Sequence, residues 1–272
     1  AGAYYYFEYF EPRPPSNAAD PRAMAAYAEG NRHFAADRFS LAEQAYDTAL
    51  ATEPAAAYYL ARGNARLAQQ RYSDAADDYD RAINLEPSHA PAYLARGTLH
   101  WLQGRIDRTE EDYRAAIRLK PDDNFYYGRL AVVLYERGRV ADVADTYRQA
   151  FEQDRSRDWA LNGWFGALAE QKDYDGILDQ TSRLRSEGVV AAWAEYYEGL
   201  AEEERGNDHP ALTAYLRAIA ADAYGVDPDV YAKIATLYRK SGAIEECAKY
   251  QQKYFFLLGR PDGYDTAWCQ SS

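Results

Sequence analysis

A period of about 34 residues runs through this chain and constrains its fold more than any other feature. One aromatic column marks it: Tyr46, Tyr79, Tyr113, Tyr147 and Tyr215, with Thr181 in the gap, at steps of 33, 34, 34, 34 and 34 residues. A small or apolar residue follows each by three positions (Ala49, Ala82, Ala116, Ala150, Leu184, Ala218), and another precedes each by four (Ala42, Ala75, Thr109, Val143, Ile177, Ala211). Offsets of three and four share one face of an α-helix. Upstream lies a glycine column, Gly30, Gly63, Gly97 and Gly199, replaced by Ala131 and Phe165 in the middle units, while Pro54, Pro87 and Pro121 close the early ones. Each unit therefore reads as a helix, a break near Gly104, Gly138 or Gly242, and a second helix. Small residues let two antiparallel helices approach closely, and the aromatic fills the space against the next pair. Ser40, Ser73 and Asp107 are placed to cap the second helices. No unit covers its own apolar face, so stacked neighbours supply the core. Seven units are expected, beginning near 23, 56, 90, 124, 158, 192 and 228.

These residues resemble the tetratricopeptide repeat family. The second unit carries the resemblance best, with Tyr59, Gly63, Asn64, Tyr72, Ala75, Tyr79, Ala82 and Pro87 in the signature columns. The match is close over 23–155, fair over 190–225 and weak over 156–188 and 228–258. It implies an all-α fold, a right-handed superhelical solenoid of about seven antiparallel helix pairs. The domain division is then an aromatic and Pro-rich N-terminal arm (1–22), the solenoid (23–258) and a C-terminal tail (259–272). The family resemblance further implies a non-enzymatic scaffold that binds protein segments in a concave groove lined by the first helices. Carried over by position, that groove comprises Tyr27, Asn31, Phe34, Leu60, Asn64, Leu67, Leu94, Thr98 and Trp101, then Phe125, Val132, Tyr135, Trp159, Trp193 and Tyr196. Packing between neighbouring helices is the competing role for each of them. Chaperone-binding members grip a terminal carboxylate with Lys, Arg and two Asn; here Asn31 matches, but Tyr27, Ala61, Pro91 and Ala95 occupy the other positions, so that clamp is absent.

Charge and motifs narrow the function classes. A net charge of −12 without a basic stripe argues against nucleic acid and anionic membrane surfaces. No apolar run is long enough for membrane insertion. Phosphate-loop, dinucleotide, nucleophile-elbow and zinc-protease motifs are all missing, so neither a catalytic set nor a cofactor is expected. His33 and His100 occupy equivalent first-helix positions and read as packing residues. The acidic clusters Asp74/Asp77/Asp78/Asp80, Glu110/Glu111/Asp112 and Glu202/Glu203/Glu204 read as solvated helix faces with no metal. Composition adds 26 Tyr against 9 Phe, a choice suited to half-buried helix faces and binding surfaces.

Both ends carry features outside the repeat. Tyr4, Tyr5, Tyr6, Phe7, Tyr9 and Phe10 form an aromatic strip of high strand propensity, followed by a Pro-rich spacer. Such a strip suits docking on a protein surface, either the chain's own first repeat as an N-terminal cap or a neighbouring copy's groove, and the second would make a head-to-tail contact that closes into a ring or grows into a filament. A self-assembling homo-oligomer is thus the alternative to a scaffold for other proteins. The last unit ends in Tyr254-Phe255-Phe256-Leu257-Leu258, too apolar to stay bare, and the tail is expected to cover it. Cys247 and Cys269 are close enough along the chain for a disulfide in an oxidising compartment. An Ala-Gly-Ala start and 31 basic residues of which only six are Lys suggest a secreted, extracytoplasmic bacterial protein, with a cytoplasmic one as the alternative.

Overall fold

The computed structural model describes residues 20–189, 191–221, 227–260, 263 and 266–270. The aromatic strip at the N-terminus lies outside these residues. All regular structure among the described residues is helical. Among the described residues fourteen helices of 12 to 15 residues are followed by one short helix. The chain divides into two compact units, Ala1–Glu136 and Arg137–Ser272.

The first unit contains α1 (Pro21–Ala35), α2 (Phe39–Thr52), α3 (Ala56–Ala68), α4 (Tyr72–Leu85), α5 (Ala90–Leu102), α6 (Ile106–Leu119) and α7 (Asn124–Glu136). Helices α1 and α2, α3 and α4, and α5 and α6 form the close pairs, and α7 packs on α6. Each pair is drawn together by a tyrosine ring lying on a glycine. A Cβ built on Gly30, Gly63 or Gly97 would come within 2.3, 2.6 or 2.8 Å of Tyr46, Tyr79 or Tyr113, so only glycine permits these approaches. The three rings are almost fully buried, which makes them the largest apolar contribution to each pair. Their hydroxyls are satisfied inside the pair: Tyr46 donates to Asn31 Oδ1 at 2.8 Å, Tyr79 to Asn64 Oδ1 at 2.9 Å, and Tyr113 exchanges a bond with Thr98 at 3.1 Å.

The helices within a pair are joined by a three-residue turn of one design. The central residue takes positive φ: Asp37 at 57°, Gln70 at 62° and Gly104 at 70°. The next amide reaches back five residues, from Arg38 to His33, Arg71 to Arg66 and Arg105 to His100. That closure satisfies the last carbonyls of the first helix and fixes where the second begins. It also corrects the expected caps. Ser40, Ser73 and Asp107 lie inside α2, α4 and α6, and the N-cap positions are the arginines, whose side chains do not cap.

The second unit contains α8 (Val140–Gln153), α9 (Asp158–Glu170), α10 (Tyr174–Ser186), α11 (Ala192–Glu204), α12 (Asp208–Ala221), α13 (Asp229–Lys240), α14 (Ile244–Leu257) and α15 (Thr266–Gln270). Helices α11 and α12 and α13 and α14 pair as expected, and Tyr215 lies on Gly199. The weak fifth repeat behaves differently. Its first helix, α9, packs chiefly on α8 and only slightly on α10. The cause is a displaced glycine: Phe165, fully buried, fills the usual position, Thr181 replaces the tyrosine of α10, and the Tyr147 ring of α8 lies on Gly163 instead. At the end of the chain Cys269 is disulfide-bonded to Cys247, with Cα atoms 5.9 Å apart. Trp268 stacks under the Arg239 guanidinium at 4.1 Å. The tail segment thus covers Ala235 and Cys247, while Phe256 remains 63% exposed.

Candidate functional site

The residues assigned to a groove separate into two sets. Tyr27, Leu60, Asn64, Leu67, Leu94 and Thr98 are all at most 9% exposed. Tyr27 packs on Tyr46 and Tyr58, and Leu60 and Leu67 pack with Ala75, Tyr79 and Leu99. Asn31, Asn64 and Thr98 are occupied by tyrosine hydroxyls. This set holds helices together and leaves little side-chain surface for a ligand. Even the one residue that matches the carboxylate clamp, Asn31, has its carbonyl taken by Tyr46.

The second set reaches solvent. In the first unit it comprises Phe34 on α1, Trp101 on α5, and Phe125, Val132 and Tyr135 on α7; Val132 and Tyr135 are 47% and 36% exposed. Phe34 rests edge-on against Phe39 at 5.3 Å, Trp101 Nε1 donates to Glu136 at 3.1 Å, and the Arg129 guanidinium lies 5.9 Å from the Phe125 ring. In the second unit the half-buried aromatics form two groups. Trp159 meets Tyr147 at 6.2 Å, and Trp193 lies 5.8 and 6.3 Å from Tyr196 and Tyr197. Tyr197 donates to Asn162 at 2.9 Å. Burial pushes the Tyr196 and Tyr197 phenols up to about 12, so both are neutral hydrogen-bonding groups at ordinary pH. Every residue of this set sits on a first helix. Such a surface offers apolar area with wet edges, the chemistry that suits an apolar or aromatic peptide segment.

Two charged rows escaped the sequence reading. Arg62 on α3 binds Asp78 of α4 through two bonds of 2.9 and 2.6 Å and Asp47 of α2 at 2.6 Å. One repeat later Arg96 on α5 binds Asp112 of α6 at 3.0 and 2.7 Å and Asp80 of α4 at 2.6 Å. Each arginine therefore ties its own partner helix to the preceding one, a bidentate arrangement that fixes orientation. Asp78 and Asp112 are buried and not solvated as expected from their acidic runs. The available signal was an Arg recurring at 62 and 96 with an Asp sixteen residues on, just before the tyrosine column. Arg62 and Arg96 have raised pKa values; burial is the largest influence on Arg62, and the aspartate bonds outweigh it. His100 is buried as a packing residue would be, and His33 is partly buried.

Among the described residues no group of three or more His, Cys, Asp or Glu could hold a metal ion, and no helix is long and apolar enough to cross a membrane.

Comparison with known proteins bears on this architecture. The family model described as tetratricopeptide repeat matches residues 27–90, 60–124 and 94–158. No curated protein matches the chain in sequence. Similar solved structures include YrrB, titled a TPR protein with an unusual peptide-binding site, at 20% identity over 67% of this chain and 95% of that one, TM-score 0.42. The Sgt2 TPR domain from Aspergillus fumigatus is 22% identical over 48% of this chain and 88% of its own, TM-score 0.43. The second TPR domain of human RPAP3, solved with the HSP70 peptide SGPTIEEVD, is 25% identical over 41% of this chain and 94% of its own, TM-score 0.39.

Proposed function

We propose, from the premise that this chain belongs to the tetratricopeptide-repeat family, that it is a non-enzymatic scaffold whose first helices hold an apolar or aromatic segment of another protein. The observation that carries the reading is the partial exposure of Phe34, Trp101, Phe125, Val132 and Tyr135 on first helices, with Trp159, Trp193 and Tyr196 likewise partly exposed in the second unit. Solved tetratricopeptide-repeat proteins bind peptides: YrrB has an unusual peptide-binding site, and the second RPAP3 domain holds an HSP70 peptide. The absence of the clamp residues directs the reading away from terminal carboxylates and toward side-chain recognition. Selection of a displayed peptide library on the purified chain tests it. Enriched segments should be apolar or aromatic and should lose about tenfold or more in affinity in a Phe34→Ala/Trp101→Ala variant. Segments that bind that variant unchanged would refute the reading.

A second reading makes the segment the chain's own. Tyr4 to Phe10 supplies six aromatics in seven residues, a composition complementary to the exposed first-helix residues. Deletion of 1–12 should then lower the oligomeric state measured by light scattering, and a synthetic peptide of residues 3–12 should bind the truncated chain; an unchanged oligomeric state removes this reading. The Cys247–Cys269 pairing supports an oxidising, extracytoplasmic location, and thiol counting on protein taken from its native compartment tests that.

A further inference from the structure

Between α4 and α6, with α5 as its floor, lies a pocket of about 410 Å³ whose wall on the α4 side includes the small Ala76. Two cations at this pocket are uncommitted. Arg105 and Arg108 line it, and among the described residues their side chains make no hydrogen bond or ion pair. Arg96, the third cation, is fully engaged by Asp112 and Asp80 and forms a fixed part of the wall. His100 completes the floor. It is 8% exposed, its Nε2 is 3.8 Å from Asp112, and its Nδ1 has no partner.

We propose that this pocket is a binding site for a single carboxylate group, gripped by Arg105 and Arg108 above His100. A planar carboxylate matches the guanidinium fork. A dianion fits less well, because Glu111 and Asp80 also line the pocket and would repel the second charge. The groups facing His100 are Asp80 from α4, Arg96 from its own helix, and Arg105, Arg108, Glu111 and Asp112 from α6 and its N-cap. Burial lowers the His100 pKa, Asp112 opposes this, and Arg96, Arg105 and Arg108 push it down further. An anion seated among those arginines screens them from the imidazole and favours its protonation. Carboxylate binding and His100 protonation are therefore linked, each strengthening the other. This site lies apart from the exposed first-helix aromatics and does not depend on them.

The carboxylate could belong to an acidic side chain of a protein segment or to a free organic acid, and the test separates the two. His100 ring signals of the full chain are followed by NMR during titration with capped Gly-Glu-Gly, capped Gly-Gln-Gly and acetate at constant ionic strength. The account expects a saturable shift with the Glu peptide, none with the Gln peptide, and a rise in the His100 pKa at saturation. Saturation by acetate alone identifies a free monocarboxylic acid as the natural source while upholding the carboxylate site. An Arg105→Ala/Arg108→Ala variant, changed only at exposed positions, should weaken binding about tenfold or more. The proposal is overturned if no shift saturates, if the Gln peptide gives the same shift, or if the double variant binds with unchanged affinity.

Discussion

Gly63 offers the sharpest perturbation of the repeat's packing rule. In a Gly63→Ala variant the new Cβ would lie 2.6 and 2.9 Å from Tyr79 Cε1 and Cδ1 and 3.3 Å from Asp78 Cβ. Neither neighbour can retreat cheaply. Tyr79 is fully buried and anchored to Asn64 through its hydroxyl, and Asp78 is fully buried and bound to Arg62 and Arg66. Forcing a methyl into such a core costs about 1–3 kcal/mol, with values at the upper end where two anchored groups must move. Alanine's better helix propensity returns up to about 1 kcal/mol. The net expectation is a loss of about 2 kcal/mol, or about 4–8 °C in Tm for a chain of this size. Gly128 in α7 is the control, because a Cβ there meets nothing within 4 Å and its φ is not positive. Gly128→Ala should raise Tm by about 1–4 °C through propensity alone. Circular-dichroism melts of both variants beside the parent decide the matter. Equal or opposite shifts would refute the claim that a glycine-to-tyrosine approach sets the distance within a pair.

Further outcomes follow from the same contacts. Asp78→Ala takes away the bidentate partner of Arg62, whose side chain is only 10% exposed, leaving it Asp47 alone, and should cost about 3 kcal/mol by denaturant titration. Cys247→Ser opens a loop spanning 22 residues and should remove about 3 kcal/mol, seen in hydrogen exchange as faster opening of α13 and α14 with α1–α4 unaffected. Alkaline titration should unfold the second unit's aromatic cluster: phenols with an unfolded pKa of about 10 are raised to about 12 in the fold, so stability is full below about pH 10 and falls as pH rises through 12. Stability flat from pH 9 to 12 would contradict it.

The period placed the helices because it recorded packing. First helices expected near 56, 90, 124, 158 and 192 begin at Ala56, Ala90, Asn124, Asp158 and Ala192, since the small-residue columns are where helices touch. The starts of the second helices were misjudged by two residues because a backbone closure at Asp37, Gln70 and Gly104, and not a Ser or Asp side chain, sets where the second helix begins. The candidate groove was legible only in part. A first helix has one face toward its partner and others toward neighbours or solvent, and a repeat alignment cannot tell Leu60, which packs inward, from Trp101, which reaches water. The buried Arg62–Asp78 and Arg96–Asp112 pairs join different helices, so helical spacing along the sequence made Asp78 and Asp112 look solvated.

The central claim is that first helices carry the binding surface. Hydrogen–deuterium exchange of the full chain with and without a library-selected segment tests it most directly. The account predicts protection in α1, α5 and α7 of the first unit or α9 and α11 of the second, with second helices such as α2, α6 and α12 unchanged. Protection confined to the second helices, or no protection at saturating segment, would contradict it.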